Sequence, residues 1–241
     1  MISTPVKSAS PHDYDHSHPD LSGGWLRAGV FGAMDGLVSN IALIAGIGAA
    51  GAPPQVVVIT GVAGLVAGAF SMALGEYTSV KTANEQVDSE LEIERQAHAR
   101  NPQGEENELV SSFMDMGLSK KTAVIAAAEI HQNSEQAARV HLSQELGVNP
   151  DAQPSPWLAA VSSFSTFAVG AFIPLIPYAL GFELLWLGLA TGGVGLLIAG
   201  GIAARFTRKS WWRSALRQLL FGSIAVAATY LVGSLLGVGS L

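Results

Sequence analysis

Uncharged or nearly uncharged runs of membrane-crossing length occur at about 28–50, 54–75, 155–182, 184–204 and 218–241. A helix needs about 20 apolar residues to cross ~30 Å of hydrocarbon, and soluble domains do not stack five such runs. The pattern predicts five transmembrane helices. The second run has no charge from Val56 to Gly75, and its register then carries Glu76, Glu85, Asp88, Glu90, Glu92 and Glu94. A membrane helix thus continues as an acidic arm.

The polar insert 82–152 reads as three helices: 82–99, broken at Asn101-Pro102; 105–116, ended by Gly117; and 119–146, opened by Ser119 and closed by Gly147. The expected fold class is an all-α membrane protein of five transmembrane helices, with this three-helix cytosolic domain between helices two and three. The domains are a disordered cytosolic tail at 1–22, helices one and two in 23–81, the acidic metal-binding insert at 82–152, and helices three to five in 153–241. The tail's cluster of His12, Asp13, Asp15, His16 and His18 reads either as solvated chain or as a weak divalent-metal site. Pro174 and Pro177 predict a kink towards the outer end of helix three, and the glycines of helix four predict tight packing.

Charge adds an orientation. All 13 Lys and Arg residues lie in or beside the tail, the connection 76–154 and the loop 205–217. The turns near 50–54 and 180–184 have none, so the positive-inside rule places the N-terminus and the insert in the cytosol and the C-terminus outside. The first run is too long, and too closely followed by another, for a cleavable signal. Trp211 and Trp212 suit the inner interfacial belt. The chain carries a net charge of −6, and no nucleic-acid partner is expected. Cysteine is absent, which leaves carboxylate, imidazole and thioether as metal ligands.

Candidate chemistry follows from position. Asp35 lies about ten residues into helix one, ~15 Å along it, and an intramembrane carboxylate is either functional or protonated and bonded to a neighbouring helix. Ser39 and Asn40 add oxygen near that depth. On helix two, Gly61, Leu65, Gly68, Met72 and Glu76 share a face, which presents a thioether and a carboxylate one turn apart. The glycines there form a seam for close contact with helix one or with a second protomer. The insert holds thirteen carboxylates against five basic side chains. Its meeting helices would gather Glu94, Glu105, Glu108, His141 and Glu145 around divalent cations, with His98 as an additional candidate ligand.

The phrases MDGLVSN in helix one and SMALGEYTSV ending helix two, followed directly by an acidic helix, resemble the vacuolar iron transporter family of ferrous and manganous ion exporters. The resemblance runs from about Arg27 to the C-terminus. It implies a homodimer of five-helix subunits, with a pathway along the dimer interface on which Asp35, Met72 and Glu76 fall. It also puts Glu94, Glu105, Glu108 and Glu145 on metal-binding positions. Two departures stand out: Ala97 replaces the second glutamate of a Glu-x-x-Glu pair, and His141-Leu142 replaces a Met-Met pair. His98, one turn after Glu94, would compensate for the first.

The function expected is export of Fe2+, and of Mn2+, from the cytosol, with Zn2+ and Co2+ as further candidate ions and protons as counter-ion. The chain is expected to be no enzyme and to carry no prosthetic group. Its partners would be the lipid bilayer, divalent metal ions and a second copy. The membrane would be the plasma membrane if the chain is bacterial, with a vacuolar membrane as the alternative. Two other readings are a membrane-anchored metal sensor or store and a di-iron oxidase; the latter lacks any Glu-x-x-His pair.

Overall fold

The computed structural model describes residues 24–207 and 209–237, so the His-containing tail cluster lies outside the described residues. Those residues form helices α1 (Trp25–Ala49), α2 (Pro54–Arg100), α3 (Pro102–Asp115), α4 (Lys120–Ile130), α5 (Ser134–Leu146), α6 (Pro156–Phe172), α7 (Ile176–Ala179), α8 (Leu185–Thr207) and α9 (Trp211–Gly237). A 3₁₀ turn, Ile173–Leu175, joins α6 to α7. Among the described residues there is no strand, and five helices are long and apolar enough to cross a membrane: α1, α2, α6 with α7, α8 and α9. The chain is a multi-pass membrane protein.

Helix α1 is the centre of the bundle, packing against α6, α9, α2 and α8. Small residues set its approach to α6. A Cβ added at Gly36 would run into the Phe167 carbonyl, and one at Gly170 into that of Ala33. Between them Leu37, Ile41 and Leu196 are buried with Ile173 and Leu189 packed around them. The glycine seam of α2 serves this same bundle. Gly61 meets Leu175 and Ile44, Gly64 meets Leu43, and Gly68 lies against the Phe167 ring. The seam is therefore internal to one protomer, between α2 and both α1 and α6.

At Pro174 and Pro177 the third span tightens into the 3₁₀ turn and the short α7, because each proline removes a backbone donor. Helix α2 continues unbroken for 47 residues, about 70 Å at 1.5 Å per residue, so more than half of it lies beyond a ~30 Å hydrocarbon layer. It stops at Arg100 because Pro102 disfavours helix at Asn101, whose side chain then caps α3 by accepting from the Gly104 N–H at 3.1 Å.

The insert departs from the three-helix expectation. The predicted helix 119–146 is two helices, α4 and α5, separated at His131–Asn133. The Asn133 side chain accepts from the Glu135 and Gln136 N–H groups at 3.1 and 3.2 Å, starting a new helix where the sequence pattern suggested continuation. Helix α5 packs along α2 through Leu91, Ala138 and Leu142, with Val87 and Val148 beside them. Arg95 of α2 clamps Glu135 of α5 with two hydrogen bonds, at 2.8 and 2.6 Å, and Arg139 joins the network at 3.0 Å and also pairs with Asp151. These arginines hold the Glu135 carboxyl down at about 2. The returning linker is tied to α2 by Asn84 donating to the Pro154 carbonyl and Gln153 donating to Asp88.

Candidate metal centre

Three helices converge where α2 ends. His98 and Glu94 come from the last turns of α2, Glu105 and Glu108 from the first turns of α3, and His141 and Glu145 from α5. Metal-ligating atoms of Glu94, His98, Glu105 and His141 lie within 4.8 Å of one another. The His141 Nδ1 stands 3.8 Å from Glu105 Oε2 and 3.8 Å from Glu145 Oε1. Glu108 is exposed at the rim.

The centre contains one residue absent from the sequence expectation, His131. As the C-cap of α4 it sits beside His98 and His141, and one nitrogen of each of the three rings falls within the same 4.8 Å. The signal was the polar run His-Gln-Asn-Ser interrupting an alanine-rich helix, with Asn133 as a recognisable N-cap.

Electrostatics mark the centre as unsatisfied. Burial, reinforced by the negative charges of Glu145, Glu105 and Glu108, pushes the Glu94 carboxyl up to about 7. Burial and the same neighbours on α3 raise Glu145. His98 is lowered by burial and by His141 and His131, and His141 by burial and His131, which leaves both rings neutral at pH 7. Glu94 Oε2 and the Nε2 atoms of His98, His131 and His141 are buried without a hydrogen-bond partner. Buried polar atoms of that kind are costly, and divalent cations shared between the His98–His131–His141 group and the Glu94–His98–Glu105–His141 group would satisfy them and offset the surrounding negative charge. Mixed imidazole and carboxylate donors suit Fe2+, Co2+, Zn2+ and Mn2+ better than a purely oxygen-seeking ion.

The membrane candidates lie in different surroundings. Glu76 is 8 % exposed and takes the Arg27 guanidinium at 3.1 Å across the α1–α2 contact. Met72 packs against Ala69, Phe167 and Ala171. Asp35 is exposed, on a strip of α1 with Phe31 and Ser39, and the Ser39 hydroxyl donates to the Asp35 backbone carbonyl at 2.6 Å. Asn40 does not share that strip. Five residues on, it lies about 140° round the helix and is buried, its amide donating to the Ala171 carbonyl.

A sequence profile of the VIT family matches residues 26–234. The chain is 36% identical over 223 residues to a vacuolar iron transporter of Acanthamoeba castellanii, covering 88% of this chain and 78% of that protein. It is 35% identical over 226 residues to vacuolar iron transporter homolog 1 of Oryza sativa subsp. japonica, covering 88% and 74%. Vacuolar iron transporter 1 of the same plant is 30% identical over 233 residues, covering 92% and 90%. With nearly the whole chain matched, helices and insert alike, the protein belongs to the VIT family.

Proposed function

We propose that the protein moves ferrous iron, and manganese with it, out of the cytosol in exchange for protons. The observation that carries this reading is the continuity of α2, which bears Glu94 and His98 at the metal centre and Met72 and Glu76 at the membrane. Eighteen residues of rigid helix, ~27 Å, separate Glu94 from Glu76. The centre captures a cation from the cytosol through Glu94, Glu105, Glu108, His141 and Glu145, with His98 beside them. The ion then reaches Glu76 at the inner mouth, where it replaces the Arg27 guanidinium as counter-charge. Met72 gives a thioether contact to an ion softer than magnesium or calcium, and Asp35 relays it at mid-membrane.

Proton exchange follows from carboxylate chemistry. Each of these groups holds a proton or a metal ion, so loading one expels the other. Glu94, poised near pH 7, is suited to that exchange at cytosolic pH.

A homodimer accounts for Asp35. An exposed carboxylate on an apolar strip is expensive against lipid, and a second copy that covers the strip turns it into a shared polar lining. The N-terminus and insert lie on the cytosolic side and the C-terminus on the other. The relatives named as vacuolar suggest a vacuolar membrane; in a bacterium the plasma membrane takes its place.

Proteoliposome flux of Fe2+ under an imposed pH gradient tests this. Native protein should carry gradient-dependent flux, Asp35→Ala should carry none, and Glu105→Ala/Glu108→Ala should carry less. A native protein that binds iron without passing it would instead be a sensor or store, a reading favoured by a metal centre confined to the insert.

A further inference from the structure

We propose that His98, His131 and His141 form a second metal site of their own, which keeps a late first-row divalent ion of the zinc and cobalt class as a resident clasp between helices rather than as cargo. The three rings come from three helices, α2, the end of α4, and α5. Their centroids are 4.7, 5.0 and 5.4 Å apart, so the imidazoles form a closed triangle.

Two of the rings are buried beyond nine-tenths, His98 at 7 % and His141 at 2 % exposure. All three present a buried Nε2 with no partner. Packing alone gives no reason for this, since an apolar ring would fill the same volume without stranding nitrogen atoms. At His131 the ring is oriented for ligation. Its Nδ1 lies 2.9 Å from the Ala127 carbonyl. A carbonyl oxygen only accepts, so Nδ1 carries a hydrogen and Nε2 is the nitrogen turned to a metal. This is the outer-shell arrangement that orients metal-binding histidines elsewhere.

His141 stands between the two donor sets, and with its Nε2 on the clasp it serves the cargo side by turning its Nδ1–H to the carboxylates rather than by ligating a second ion. Its Nδ1 faces the Glu105 and Glu145 carboxylates, whereas its Nε2 is unpartnered. Three imidazole nitrogen donors select against manganese, magnesium and calcium and in favour of ions late in the first row. The carboxylate side, by contrast, suits harder, exchangeable cargo. The two halves of the centre thus take different ions for different purposes.

The clasp has mechanical work to do. Apolar contact joins α2 to α5 through Leu91, Ala138 and Leu142, while α3 packs mainly on α4, with Leu109, Ala123 and Ala127 buried. Contact between the α3–α4 pair and the α2–α5 pair is sparse. An ion held by His98, His131 and His141 bolts the C-terminal end of α4 to both α2 and α5. Metal bound only by the folded arrangement stabilises that arrangement.

The site does not depend on transport, and its test is separate. The full-length protein in detergent is titrated with cobalt chloride. Four- or five-coordinate cobalt on nitrogen ligands absorbs strongly in the visible, whereas six-coordinate cobalt on oxygen ligands absorbs weakly. Native protein should show the strong band, zinc should abolish it, and excess manganese should leave it. His131→Gln should lose the band and weaken cobalt binding at least ~10-fold, whereas Glu129→Gln on the exposed side of α4 should keep both. Amide exchange in α4 should slow with zinc in native protein and not in His131→Gln. Circular dichroism establishes that the variant is folded; if it is not, His98→Gln decides by the same readings. A native protein without the band, or a folded variant with an unchanged band, overturns the clasp. Ferrous flux after the same protein is reconstituted into proteoliposomes separates the two readings: a His131-dependent band without flux removes transport and keeps the clasp, and flux without such a band does the reverse.

Discussion

Asp35 and Glu94 are both carboxylates, and their surroundings give them different work. Asp35 stands on an exposed strip of an apolar helix with the Ser39 hydroxyl turned back onto its own backbone. Under the proposed function, replacing it by Asn removes the charge that would hold a cation and the site that would hold a proton while leaving helix packing alone. Asp35→Asn should therefore abolish flux and leave equilibrium iron binding by the insert unchanged, as read by binding to the detergent-solubilised protein. Glu94 titrates near 7 because burial and three neighbouring glutamates oppose its ionisation. Below that pH an arriving ion must displace a proton, so metal affinity should rise between pH 6 and 8, with proton release measurable by calorimetry in buffers of different ionisation heat. The sign for the metal-free protein is the opposite. A carboxyl raised in the folded state favours folding while protonated, so the contribution is lost as pH rises from about 4.5 to about 7. The Glu94 contribution, read without metal as the difference in thermal midpoint between native protein and Glu94→Gln and so free of the opposing contribution of His98 and His141, should fall over that interval.

At the scale of elements, close helix approach and helix breaks carry the architecture. Gly36 of α1 lies against the backbone of Phe167 in α6, where a side chain has no room and no flexible neighbour to displace. Gly36→Val should destabilise the bundle by about 1–3 kcal/mol, seen as a lower thermal midpoint in detergent. Asn133 starts α5 and so fixes where His131 sits. Asn133→Ala should cost about 1 kcal/mol and weaken cobalt binding at the insert, because the turn that aims His131 loses its anchor.

The five spans were legible in the sequence because hydrocarbon thickness imposes a length and a composition that no other constraint imitates. So was the stop at Asn101-Pro102, since proline acts locally. The break between α4 and α5 is hidden in the sequence, because alanine-rich sequence on one side and good helix formers on the other mask a three-residue interruption. His131 went unrecognised with it. The Arg27–Glu76 pair joins residues 49 apart, which no local pattern encodes. Asn40 was placed near Asp35 by depth, although its angle round α1 turns it to α6. Glycine in α2 signalled close contact but not its partner, which proves to be α1 and α6 of the same chain.

For the whole molecule, one continuous helix joins the buried candidate metal centre of the insert to the membrane bundle, with carboxylates at both ends. Under the proposed function, capture, delivery and proton exchange belong to one continuous object, completed by a second copy over the exposed Asp35 strip. Coupled movement of metal and proton is the claim on which the rest depends. It is tested most directly by trapping a pH-sensitive dye in proteoliposomes, holding the membrane potential at zero, and adding Fe2+ outside with no imposed pH gradient. The account predicts that iron entry and alkalinisation of the lumen rise together, and that both are absent with Asp35→Asn. Iron entry with no change in lumenal pH, or no entry at all into vesicles bearing the native protein, would contradict it.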